Sequence, residues 1–336
     1  MFTVSMVQPQ SFLAARDAQP IRTELARTCS LTSLWASEEP VFEASVITCG
    51  PTLHRNARQL EVARIHGPNY LHTNSVPTTA EKLQNAEWSF LLATDLGVPA
   101  VDLSTNAGVV SDIADCTADF REQYYGLIGA VVEAEPWMSE DKYPRLITSG
   151  LIDPSESFWG RTPTKFNKTT YKAPRVSLEH LSQNLKLTDW CQKRLVPKIL
   201  LATQGKVLEA VVDDAGEWLP SVPVITVTPR SEEIWKIAAV LLSPPICAYV
   251  SARFAGAGLT MTSIKLSAKQ VRQLPLPVDQ EEWAAAAAVL ERANNSDRGK
   301  VPALVEMGRM MCDAYHQAPD DLLPWWQGRA GIQTSL

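Results

Sequence analysis

The pattern of hydrophobic and polar positions divides the chain into short strands and a few strongly periodic helices. Residues 2–8 (FTVSMVQ) alternate loosely and predict a strand. After a turn at residues 9–11, residues 12–28 predict a helix with Leu13, Ile21 and Leu25 on one face. Residues 31–35 and 44–49 predict two further strands, the second closed by Gly50-Pro51. This β-α-β-β run reads as the closing edge of a doubly wound sheet. Residues 80–135 read as largely helical, broken at Gly97-Val98-Pro99 and Asn106-Ala107-Gly108, with 118–128 (ADFREQYYGLI) the most regular helix. Residues 142–180 lack periodicity and are rich in Pro, Gly, Ser and Thr, which predicts loops with short strands. A strand pair is predicted over 198–203 and 206–212, turning at Gln204-Gly205, and another strand over 222–227. Helices are predicted over 231–242, with Ile234, Ile237, Ala238 and Leu241 on one face, over 280–293 and over 302–315. No internal repeat is visible. The expected protein is α/β: a partial doubly wound sheet edge over residues 1–60, a helical connector over 61–141, a mixed β/α domain over 142–277 and a helical tail over 278–336.

Composition changes this picture little. With 45% hydrophobic and 20% charged residues, the 336-residue chain is an ordinary globular sequence rather than a disordered one. The longest apolar stretch, residues 237–250, is interrupted by Pro244 and Pro245 and falls short of the roughly 20 residues that span a bilayer. The first ten residues have no basic n-region or long apolar h-region, so a cytoplasmic protein without membrane contact is expected. The six cysteines are scattered without a C-x-x-C pair and predict reduced, mostly buried thiols. His66 and His72 lie close in sequence without a third ligand at suitable spacing, so no metal site is expected.

The charge distribution changes more. The net charge of −6 would argue against nucleic acid if it were evenly spread. Instead residues 1–141 carry 8 basic against 18 acidic side chains, residues 142–206 carry 12 against 4, and residues 207–336 carry 11 against 15. The middle block interleaves its cations with Tyr143, Phe158, Trp159, Phe166, Tyr171 and Trp190. Basic residues among aromatics and Thr, Asn and Gln suit a phosphate backbone, whose condensed counterions are released on binding. A basic face that merely balances the acidic N-terminal stretch is the alternative.

Two stretches resemble the signatures of amino-methyltransferases of DNA, which need a glycine turn for the methyl donor and an (Asn/Asp/Ser)-Pro-Pro-aromatic turn for the target base. They are Phe254-Ala-Gly-Ala-Gly258 and Ser243-Pro-Pro-Ile246. In the second, isoleucine replaces the stacking aromatic. Only seven residues separate the two, too few for the crossover between parallel strands that a working site requires. A helix end at Ser243-Pro-Pro and a flexible loop at 256–258 are expected instead. Gly-x-Ser-x-Gly and the phosphate-binding Gly-x-x-x-x-Gly-Lys-Ser/Thr are absent. The pairs Asp213-Asp214 and Asp320-Asp321 read as solvated turns. No catalytic, cofactor-binding or metal-ligating residue is assigned.

Other stretches carry a wider resemblance. Val7-Gln-Pro-Gln-Ser-Phe-Leu13, Arg22 to Leu25, the strand at 31–35, Phe42 and the strand at 44–49 follow one another in a recognisable order. Pro197-Lys-Ile-Leu200, the Leu241-Leu-Ser-Pro244 step, a glycine-rich loop with Thr260, Thr262 and Lys265, and Leu274-Pro-Leu-Pro277 follow further on. In order and spacing these pieces resemble the N6-adenine DNA methyltransferases of restriction and phage-defence systems, from the end of the methylase domain through the target-recognition domain. The resemblance implies a remnant of a Rossmann-like methylase domain over residues 1–60 and a DNA target-recognition domain over 142–277. The donor-binding and catalytic turns of that family would precede residue 1. The expectation is therefore a double-stranded DNA-binding portion, a subunit or a truncated product, without catalytic activity alone. S-adenosylmethionine would belong to the complete enzyme rather than to this chain, and a separate catalytic methylase chain is a possible partner. Lys165, Lys168, Lys172 and Arg175 are the first candidates for phosphate contact. Arg161, Lys198, Gln204, Lys206, Thr260, Thr262 and Lys265 are candidates for base or phosphate contact. The rival expectations are a complete methyltransferase with an atypical site at Ser243–Ile246 and Phe254–Gly258, and a non-catalytic protein-interaction module.

Overall fold

A computed structural model describes residues 2–37, 39–43, 46–55, 60–119, 121–254, 260, 263–295 and 300–332. The fold is mixed α/β, with several small sheets and a helical C-terminal tail. The chain divides into two compact units, Met1–Ala100 with Ala248–Lys265, and Val101–Cys247 with Leu266–Leu336.

The first unit is built on a six-stranded sheet. Thr48–His54 pairs antiparallel with Thr3–Ser5, Gln8–Pro9 and Ser30–Ala36, while Glu61–His66 runs parallel to Ser30–Ala36 and antiparallel to Leu71–Pro77. A register shift between Leu31 and Ser33 resets the alternation of Ser30–Ala36. It lets Leu31 and Leu34, three positions apart, both enter the core. They pack there with Leu13, Leu53, Val62, Trp88 and Leu91. The predicted helix at 12–28 is shorter. Single 3-10 turns at Gln10–Leu13 and Arg16–Ala18 precede an α-helix at Gln19–Thr28, with Pro20 in its first turn, where proline is tolerated. Ile21, expected on the buried face, is 55% exposed. Arg22 is buried and donates to the carbonyls of Phe12 (2.6 Å) and Ala15 (2.9 Å), tying the 3-10 turns to the helix. Burial lowers its pKa to about 10. A second buried cation, Arg64, is bound to Asp95 at 2.9 Å, and Asp95 also meets His66 Nε2 at 3.0 Å. The strand expected at 44–49 runs over Thr48–His54, and residues 44 and 45 lie outside the described ones. Residues 61–77, read as the start of a helical connector, form the last two strands of the sheet.

The second unit holds two four-stranded sheets. One is antiparallel, in the order Ala210–Asp213, Lys198–Leu201, Ile225–Pro229, Ala114–Ala118. Its first pair matches the strand pair expected around Gln204-Gly205. Its last strand corrects the helix expected over 118–128: Ala114–Ala118 is strand, and only Arg121–Gly126 is helical. Pairing with a strand more than a hundred residues away outweighs local helix propensity. The other sheet orders Trp218–Pro220, Arg145–Ile147, Pro174–Val176 and Val131–Glu133, with its first pair parallel. Hairpins at Ile152–Asp153/Glu156–Ser157 and Thr164–Phe166/Thr169–Tyr171 extend from it in sequence.

The helix Ile234–Leu242 is apolar almost all round, and seven of its nine residues are buried. The indole N–H of buried Trp283, on the helix Gln280–Asn294, donates to its Lys236 carbonyl at 2.8 Å. Lys300–Ala314 and Pro319–Ala330 complete the tail. Among the described residues no single helix is long and apolar enough to cross a membrane. All six cysteines are unpaired and five are buried; burial pushes the thiols of Cys49, Cys191, Cys247 and Cys312 up to about 12.

Candidate nucleic-acid interface

The middle of the second unit concentrates the sequence's cations, and their surroundings separate them into two sets. In the 164–171 hairpin, side chains alternate in and out as a two-residue period requires. Thr164 and Phe166 are buried while Lys165 is exposed opposite Thr170. Phe166 packs on Tyr124 (ring centroids 4.8 Å apart), Thr164 Oγ1 meets Thr148 Oγ1 at 2.6 Å, and the Tyr124 hydroxyl accepts the Asn167 N–H at 3.1 Å. The inner face is thereby pinned, and the outer one is left to solvent.

At the tip, Asn167 and Lys168 both have positive φ (43° and 68°), the backbone of a type I′ turn. Asparagine enters that region readily. Lysine does so at a penalty of about 1 kcal/mol relative to glycine, so the tip carries a charge at a conformational cost. Just past the hairpin, the Glu133 carboxylate accepts the backbone N–H groups of Lys172 (2.8 Å) and Ala173 (2.6 Å), fixing the exit while the Lys172 side chain stays exposed.

The arginines of the block behave differently. Arg175 is 8% exposed, donates to both oxygens of Glu140 (2.8 and 2.9 Å) and to the Tyr143 carbonyl (2.6 Å), and stacks on Trp159. Arg145 shares Glu140 (3.0 Å) and covers the same ring. The two arginines hold the Glu140 carboxyl below its usual value against the opposing effect of burial. Arg194 is bound to Asp119 at 2.7 Å. Arg161 is bound to Glu156 at 2.7 Å and lies over Phe158, with its side chain still 56% exposed.

Lys198 is fully buried in an ion pair with Asp213, whose carboxylate also accepts the N–H groups of Glu217 and Trp218. Burial lowers the Lys198 pKa despite that partner. Arg175 and Lys198 are therefore corrected from surface contacts to interior ion pairs: their charges are spent within the protein. Among the described residues, Lys142, Lys165, Lys168, Lys172, Lys186 and Lys206 of the block have no ion pair.

The remaining candidates are dispersed. Gln204 is half-buried beside exposed Lys206, whose carbonyl accepts from Arg329 at 3.2 Å. A β-carbon on Gly205 would meet Glu209 Oε1 at 2.8 Å, so this carboxyl stands against the 204–205 turn. Burial, and then the charge of Asp153, raises Glu209 to about 7. Thr260 and Lys265 are exposed but belong to the first unit, and Thr262 lies outside the described residues.

The first unit also has an open pocket of about 560 Å³, lined by Trp35, Ser37, Glu39, Pro40, Val41 and Tyr70 among others. The Trp35 indole N–H is fixed on the Gly67 carbonyl (2.8 Å), and its ring lies 5.9 Å from that of Tyr70. The sequence placed Trp35 at the end of a predicted strand but singled out neither ring of this pocket as a site residue. Nor did it single out Glu140, Tyr124 or Glu209. The signal available for the hairpin was the alternation Thr-Lys-Phe and Thr-Thr-Tyr on either side of Asn167-Lys168.

Of the two methyltransferase-like stretches, the described residues cover Ser243–Ile246 and Phe254. Ser243 is fully buried between two helices, its hydroxyl donating to the Val240 carbonyl at 2.9 Å. Pro244 opens the next helix, as expected for a helix end. Phe254 ends that helix, and residues 255–259 lie outside the described ones. Among the described residues no group of three or more His, Cys, Asp or Glu could hold a metal ion.

By sequence the chain matches no protein-family profile and no curated protein. By structure it is similar to the Type IIL restriction-modification enzyme MmeI in complex with DNA (TM-score 0.53, 10% identity, 99% of this chain and 47% of that one). It also aligns with the type IIG restriction endonuclease BpuSI (TM-score 0.39, 12% identity, 96% of this chain and 48% of that one). The first likeness is one of fold. The chain spans about half the length of each of these proteins.

Proposed function

We propose that this chain is the DNA-reading portion of an adenine-specific (N6) DNA methyltransferase of a restriction-modification system. The observation that carries the reading is the separation of cations within the basic block. Its four arginines are all ion-paired, while six lysines stay unpaired, three of them on or beside one pinned hairpin. Solvated, mobile ammonium groups on a fixed support suit a phosphate backbone, to which lysine binds as a point charge. The likeness in fold to MmeI, whose solved structure is a complex with DNA, supports the same reading.

In the complete enzyme S-adenosylmethionine would supply the methyl group. Ser243 is buried at a helix junction and residues 255–258 lie outside the described ones, so no step of methyl transfer is assigned to this chain. The pocket beside Trp35 and Tyr70 has the size and aromatic lining to receive an extruded base.

Fluorescence anisotropy with duplex DNA at 50 and 200 mM salt tests the reading. Three phosphate contacts give a slope of about −2.7 in log affinity against log salt, or about 40-fold over that range. The Lys165/Lys168/Lys172→Glu variant should lose most of the affinity at low salt while keeping its fold. A folded wild-type chain with no affinity at 50 mM salt would overturn the proposal and favour a protein-interaction module.

A further inference from the structure

The loop between Glu133 and Arg145 presents Trp137, the most exposed tryptophan among the described residues at 67%. An exposed tryptophan offers a large flat face with a polar N–H edge, the kind of side chain enriched where proteins meet partners. This loop is held at many points. Ala134 N–H donates to the Ala173 carbonyl (3.0 Å), Met138 to Glu135 (3.0 Å) and Tyr143 to Ser139 (2.8 Å). Leu178 donates to Lys142 (3.1 Å) and Val176 to Pro144 (3.0 Å). Arg175 binds the Tyr143 carbonyl and, with Arg145, the Glu140 carboxylate. The Trp137 ring then leans edge-to-face on Tyr143, at 5.3 Å and 87°. The buried arginine that sequence reasoning assigned to phosphate thus braces the loop that holds an indole in water.

The surroundings say what kind of partner fits. Glu140 is neutralised by two arginines, and between Glu133 and Arg145 Lys142 is the one cation, beside acidic Glu135 and Asp141. Two lysines without an ion pair lie near the loop: Lys142 within it, and Lys172, whose neighbour Ala173 accepts the Ala134 N–H. An exposed ring on a braced loop, with one lysine on that loop and one beside its anchor, matches the way proteins hold an unstacked base, by stacking on an aromatic side chain while cations meet the flanking phosphates.

We infer that Trp137, backed by Tyr143, is a stacking site for an unpaired or destacked DNA base, with Lys142 and Lys172 on the adjacent phosphates. The inference rests on the DNA-reading function proposed above. It places a second contact, to a base face, beside the charge contacts of the hairpin.

Anisotropy titrations of the full chain can compare an intact duplex with the same duplex carrying one unpaired adenine. The proteins are wild type, Trp137→Ala, Trp137→Phe and the Lys165/Lys168/Lys172→Glu variant. Stacking predicts that wild type prefers the bulged duplex by about tenfold or more, that Trp137→Ala loses this preference, and that Trp137→Phe keeps most of it. Trp137 is mostly in water, so its replacement should leave the far-ultraviolet circular dichroism unchanged. Unchanged affinity of Trp137→Ala for the bulged duplex, with collapse of the lysine variant on both duplexes, would overturn stacking and leave DNA reading in place. Absence of wild-type binding to either duplex would overturn both.

Discussion

The cluster of Arg145, Glu140 and Arg175 and the 164–171 hairpin draw their cations from one block of sequence, yet use them in opposite ways. In the cluster, two guanidinium groups share one carboxylate and one indole, and Arg175 is nearly lost to solvent. Guanidinium groups are weakly hydrated and planar, which makes them the cations of choice for such burial. On the hairpin, ammonium groups project from a face with no ion pair, and one sits in a backbone region where glycine would be cheaper. Net charge over a stretch therefore overstates what is available to a ligand. About half of the block's positive charge stabilises the fold, and the other half is free.

Substitutions can break or sharpen this division. The largest effect is expected at Asp213→Ala, which strands buried Lys198 and removes the acceptor for Glu217 and Trp218 N–H. It should cost about 3–5 kcal/mol in urea melts, while the folded fraction retains its DNA affinity. Glu140→Ala removes the acceptor shared by Arg145 and Arg175 and should cost about 2–3 kcal/mol, again with little direct change in the salt slope. A large loss of DNA affinity without loss of stability in either variant would erase the distinction between structural and free charge.

Glu209→Gln tests a carboxyl held close to neutral. Because the folded pKa is raised from 4.5 to about 7, the stability it contributes is fully present below about pH 4.5 and lost as pH rises through about 7. Wild type should therefore lose on the order of 1 kcal/mol relative to Glu209→Gln between pH 4.5 and 8, read as diverging melting temperatures. Parallel curves would count against it. The smallest effect is at Lys168→Gly, which should stabilise the hairpin by about 0.5–1 kcal/mol while reducing the magnitude of the salt slope by about 0.9. A gain of stability with loss of binding is the signature of a charge placed for a ligand rather than for the fold.

The sequence made the strongly periodic parts legible. The helices near 234–242, 280–294 and 300–314 and the strand pair around Gln204-Gly205 lie within a few residues of their expected places. What it hid was set by distant partners. Ala114–Ala118 is strand because Ile225–Pro229 pairs with it. Arg175 is buried because Glu140, in the turn before its ladder partner Arg145 and thirty-five residues earlier in the chain, binds its guanidinium. Lys198 was drawn inward by Asp213, read from sequence as a solvated turn. The hairpin was visible as a basic, aromatic stretch. Its turn was not, since Asn-Lys carries a weaker signal than Asn-Gly.

The path of the chain has a practical consequence. It passes between the two units three times, at residues 100–101, 247–248 and 265–266, so each unit is assembled from two separate stretches of sequence. No single cut can release either one. A polypeptide shortened to end at Cys247 would deprive the first unit of its last stretch and the second of its helical tail together. Exchange of either whole unit for that of a similar protein needs three junctions, and the natural places for them are those crossing points rather than the edges of the basic block.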